Sequence, residues 1–164
     1  MGRMGGSGMN AQVGPGPFWA SLTVWGVANA VCILQAVGFL SRITTGSMAM
    51  NHLLGYLMIA LAIPAAVALV AFVRAGAEWL QLSGPAFYIA FIALMIAVEY
   101  VFPVEFRSPP LYAILVPYLV LFFGSILLMG LPMFRIDRGL WLVTVASALF
   151  LLIAMVLAMR KGVG

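Results

Sequence analysis

The chain has 164 residues, 65% of them hydrophobic and 7% charged, with eight Lys and Arg against four Asp and Glu. An ordinary soluble domain is roughly 25% charged, so a water-facing surface of the usual kind is excluded, while apolar runs of membrane length recur as spanning helices require. The net charge of +4 is too small and too scattered to address nucleic acid, and anionic lipid headgroups at the two surfaces account for it.

The first seventeen residues, MGRMGGSGMNAQVGPGP, are rich in Gly and Pro, hold no apolar run and read as a flexible tail ending in Pro17, a residue suited to a first helical turn. A secretory leader would begin its apolar core soon after the first basic residue, and no such leader is evident, so the first apolar run is expected to stay in the mature protein. Five spans follow, at 18–40, 51–73, 85–102, 109–134 and 140–159. Each is long enough to cross a hydrocarbon core of ~30 Å at ~1.5 Å per residue, the third being the shortest. The expected fold is therefore an all-α integral membrane protein, a bundle of about five transmembrane helices without β-sheet, with residues 18–164 forming one transmembrane domain. A multi-pass protein of the cell membrane is the corresponding localisation.

The span ends carry punctuation. Gly84-Pro85 and Ser108-Pro109 place a tolerated cap residue before a proline at a helix start, and Asp137 is placed to cap the fifth helix and to suit its dipole. Pro64 and Pro117 fall inside spans, where each removes a backbone donor and crowds the carbonyl four residues back, at Ala60 and Ala113; kinks are predicted there.

Five spans put the tail, the Arg74 loop and the Arg135 loop on one side of the membrane and the Arg42 loop, the Arg107 loop and the C-terminus on the other. Lys and Arg divide equally, with Arg3, Arg74, Arg135 and Arg138 against Arg42, Arg107, Arg160 and Lys161. Arg3 lies farthest from its span and counts least, which tilts the count toward a cytoplasmic C-terminus. Whichever way the chain sits, Arg42, His52, Glu99, Glu105 and Arg107 share one face, and that face gathers most of the polar chemistry.

Glu99 is the residue that most needs a reason. Counted from Pro85 it lies ~21 Å along its helix, toward the far boundary, where an intramembrane carboxylate either turns to the headgroups or pairs with Arg42, Arg107, His52 or a hydroxyl. Glu105 and Arg107 sit in a linker stiffened by Pro103, Pro109 and Pro110 and read as a connector facing phosphate headgroups. Met48, Met50 and His52 alternate as a soft donor set, but eleven Met are spread through the chain and boundary packing is the simpler account. No metal and no cofactor is expected; a lone histidine also speaks against a haem held by two imidazoles within one chain.

Catalytic patterns are lacking: there is no G-x-S-x-G, no H-E-x-x-H and no second Cys to pair with Cys32, so an enzyme is not expected. Packing residues are plentiful instead. Gly26-x-x-x-Ala30 and Thr144-x-x-x-Ala148 set small residues at spacings that permit close helix approach, and Asn29, Gln35, Ser125 and Ser147 offer interhelical hydrogen bonds. Trp19, Trp79, Tyr100 and Trp141 stand near span ends, as a headgroup belt requires. Beyond the lipid bilayer, the expected partners are further copies of the chain or another membrane protein. The leading expectation is an accessory or assembly subunit or a self-associating bundle; the alternative is a small transporter or channel with Glu99 as a proton- or cation-linked site.

Overall fold

A computed structural model describes residues 16–46, 49–104 and 111–162. Among them are five helices and no strand: α1 Phe18–Thr45, α2 Ala49–Ala75, α3 Trp79–Val101, α4 Tyr112–Ile136 and α5 Arg138–Arg160. All five are long and apolar enough to cross a bilayer, and the fold class expected from the sequence holds. Helices are the natural outcome, because hydrocarbon offers no partner to a backbone N–H or C=O and each span must satisfy its own.

The ends follow from local chemistry. Pro17, extended at φ −57° and ψ 131°, caps α1, and Gly46 closes it in the left-handed conformation at φ 63°, its N–H bonded to the Arg42 carbonyl. Asp137 caps α5 as its position implied, its carboxylate accepting from the N–H groups of Gly139 and Leu140 at 2.7 and 3.1 Å. Gly16, assigned to the tail, is packed: its N–H donates to Gln81 Oε1 at 3.1 Å, and a Cβ there would press into the Phe72 ring. Residues 1–15 of the tail lie outside the described residues, as do Met48, Glu105, Arg107, Ser108 and Pro109.

The third span differs from expectation. It starts at Trp79, not Pro85, and Pro85 stands buried inside the helix. Breaking the chain at Gly84 would leave several backbone groups unpaired within the apolar layer; continuing the helix to Glu78 leaves only the bond from residue 85 to the Gln81 carbonyl unmade. Trp79, 74% exposed, then stands at the helix start as an interfacial anchor. The third span is consequently 23 residues long, the same as the fifth. Pro64 and Pro117 lie inside helices that run on through them, and so does Pro132 near the end of α4, which the sequence reading passed over.

Helix α1 touches all four others, while α2, α3, α4 and α5 follow one another around it and α2 and α5 do not meet. The core between them is built from small residues on α1 and α2, among them Ala20, Ala28, Ala65 and Ala68, and from large ones on α3 and α4, notably Tyr88, Phe91 and Met129. An aromatic seam runs across the α3–α4 contact, with Phe91 edge-on to Tyr118 at 5.1 Å and tilted on Phe122 at 5.2 Å.

Candidate functional site

Toward the end of the bundle where α1, α3 and α5 finish and α2 and α4 begin, the helices part around a cleft of about 640 Å³. All five contribute walls: Arg42 and Gln35 from α1, His52 and Gly55 from α2, Glu99 and Tyr100 from α3, Tyr118 and Phe122 from α4, Met155 and Met159 from α5. The volume falls in the range that encloses a drug-sized ligand. Depth along the helices grades the lining. His52, Arg42, Glu99 and Tyr100 belong to the outer ring, and Met58, Met95, Phe122 and Leu151 to the floor.

Glu99 reaches this cleft because the last part of α3, Ile96–Val101, is wound as a π-helix. The Phe102 N–H bonds to the Ala97 carbonyl at 2.8 Å, five residues back, and the Val104 N–H reaches Val98 at 3.0 Å. The wider winding brings neighbouring side chains closer in angle, and both Glu99 and Tyr100 line the cleft. Local π-turns of this kind concentrate at functional sites. Since α3 begins at Trp79, Glu99 lies roughly 30 Å along it by helical rise. That is nearer the boundary than the count from Pro85 gave. The carboxylate is half-buried, and the Tyr118 hydroxyl donates to its Oε1 at 2.9 Å across the α3–α4 seam.

Around it the wall of the cleft is closely packed. Gly55 on α2 lets the Tyr100 hydroxyl come against the helix backbone, where any Cβ would collide with it, and the Tyr100 ring tilts on Tyr56 at 5.4 Å. Arg42 stacks its guanidinium over the Phe39 ring at 5.3 Å, a cation–π contact one turn along α1. At the floor the Gln35 amide donates to the Met58 sulfur at 2.8 Å, a weak acceptor for so capable a donor. Just beneath, the Tyr88 hydroxyl is satisfied by the Met58 carbonyl at 2.7 Å, and Tyr88 and Phe91 close the bundle.

Of the five residues that the sequence groups as a polar cluster, three meet here: Arg42, His52 and Glu99 all line the cleft, with His52 exposed. Glu105 and Arg107 themselves lie outside the described residues. The packing candidates divide. Thr144 is buried against α1 and α4: its hydroxyl accepts from the Asn29 amide at 3.3 Å, and its methyl occupies the space a Cβ on Gly130 would need. Ala148 packs on the core. Gly26 does not mark a close approach within the chain, for a Cβ there would meet nothing within 4 Å, and both Gly26 and Ala30 are half-buried. They lie on the stripe of α1 that runs through Trp19, Leu22, Ile33 and Val37, left uncovered where α2 and α5 fail to meet.

Sequence reasoning did not assign Tyr100, Tyr118 or Gly55 to a site. Tyr118 carried a usable signal, since a tyrosine within a span needs a partner for its hydroxyl and a carboxylate in the neighbouring span is the obvious acceptor. The π-winding and the Gly55 contact carried none. No family model, curated protein or solved structure matches the chain.

Proposed function

We propose that this is a small membrane carrier whose substrate site is the cleft around Glu99. The observation that supports this reading over an assembly subunit is the convergence of all five helices on one ligand-sized cleft that presents a carboxylate and a guanidinium above a Met- and Phe-lined floor. A bundle that served only to hold a neighbour would gain by filling that volume, because packing supplies most of the association energy in lipid. The closed layer of Tyr88 and Phe91 beneath the floor favours a carrier, which exposes its site to one side at a time, over an open channel. Methionine suits such a floor, being flexible enough to repack around more than one shape.

A second reading keeps the assembly role, favoured by the uncovered α1 stripe with Gly26 and Ala30 at its middle. Thermal melts of the purified protein in a mild maltoside detergent, screened against solutes and amphiphiles, separate the two. A carrier should be stabilised by at least one compound, and Leu115→Trp, which fills the cleft from α4, should abolish that gain. A wild-type melt indifferent to every compound, together with a stoichiometric second polypeptide retained through purification, would contradict the carrier and support assembly.

A further inference from the structure

Among the described lining residues the outer ring carries one carboxylate, Glu99, and one guanidinium, Arg42, so the wall offers a balanced pair of opposite charges. Beside Glu99 stand the rings of Tyr100 and Tyr118, and deeper in the cleft that of Phe122. A carboxylate among aromatic faces is the arrangement that receives an ammonium group, by Coulomb attraction together with the ring quadrupoles. A guanidinium is the arrangement that receives a phosphate, through paired N–H donors. A carboxylate has about four acceptor sites and a guanidinium five donors, so each can serve a ligand while keeping contacts within the protein. Below this ring the lining turns apolar, through Met58, Met95 and Leu151, over a volume of about 640 Å³.

We infer that the ligand is a single-chain zwitterionic amphiphile, with an ammonium toward Glu99, a phosphate toward Arg42 and its apolar chain along the methionine-rich floor. This rests on the cleft being a binding site. A zwitterionic head meets both wall groups at once, whereas a purely anionic or purely cationic head meets only one of them.

The test is a chain-matched series added below its micellar concentration to the protein in maltoside: lysophosphatidylethanolamine, an alkyl phosphate, an alkylammonium and a monoacylglycerol, each read by its shift of the melting midpoint. Wild type should bind the lysophospholipid at least tenfold more tightly than the other three. Glu99→Gln should move the preference to the alkyl phosphate, and Arg42→Gln should move it to the alkylammonium, a reversal that a merely destabilised fold cannot produce. A wild type stabilised best by one of the singly charged or neutral compounds, with that gain abolished in Leu115→Trp, would overturn the zwitterion inference while leaving the cleft reading standing. No stabilisation by any member of the series or of the wider screen would overturn both.

Discussion

Asn29 shows how a single polar side chain ties two spans together in an apolar setting. Its amide donates to the Trp25 carbonyl at 2.8 Å and to Thr144 Oγ1 at 3.3 Å, and its carbonyl oxygen accepts from the Ser147 hydroxyl at 2.7 Å. One turn away the Trp25 indole N–H reaches the Leu140 carbonyl at 2.9 Å, extending the α1–α5 ladder. Asn29→Val should destabilise the fold by about 1 kcal/mol, the scale measured for interhelical hydrogen bonds in membranes. Ser147→Ala should cost less on its own, because the Asn29 amide keeps its bonds to the Trp25 carbonyl and Thr144 Oγ1. The double variant should be less destabilised than the sum of the singles, as residues sharing one network are. Additive losses in reversible denaturant titrations would show that the ladder is not a unit. Asn29 and Ser147 were legible as interhelical hydrogen-bonding residues before any coordinates, since buried polar groups in hydrocarbon must find one another, though not as each other's partners. Ser125 was expected to do the same, but its hydroxyl turns back to the Phe122 carbonyl of its own helix at 2.7 Å, and composition does not distinguish the two choices.

At the level of helices, glycine tells where the spans touch and where they do not. A Cβ on Gly84 would lie 2.8 Å from the Met129 backbone nitrogen and 2.9 Å from the Leu128 carbonyl carbon. Neither can yield without moving α4. Gly84→Ala should therefore separate α3 from α4 and cost about 1–3 kcal/mol, the range for overpacking. Gly26→Ala meets open space and should be neutral or stabilising by up to ~1 kcal/mol through helix propensity. Melts of the two variants side by side check this; equal effects would contradict the packing described. The small-residue spacing at Gly26 and Ala30 was visible in the sequence, but spacing alone does not say which face of a helix finds a neighbour. The start of α3 was hidden for a related reason. Gly84-Pro85 carries a strong local signal for a helix boundary, and the need to satisfy backbone groups inside the membrane overrides it. The π-turn at Ile96–Val101 carries two contacts to the neighbouring helices, Tyr100 on Gly55 of α2 and Glu99 on Tyr118 of α4. No run of residues announces it.

For the whole molecule, the alternation of five spans does two things at once. It leaves the two ends of the bundle unlike, with Trp19, Trp79 and Trp141 at the end where α1 begins and Arg42, His52 and Glu99 at the other. It also lets one end open into a cleft while the remainder stays packed. The exposed Arg135–Glu78 pair, at 3.3 Å, joins the α4 and α3 ends on the tryptophan side. An exposed pair of that kind contributes little to stability, so the polar groups of that end need no function to explain them. The cleft at the opposite end does. Native mass spectrometry of the protein released from mild detergent asks the central question directly: the wild type should carry one bound species of small-amphiphile mass, and Leu115→Trp should carry none. A wild type that appears either bare or joined to a second polypeptide, with no small-molecule adduct in any charge state, would contradict a carrier built around Glu99.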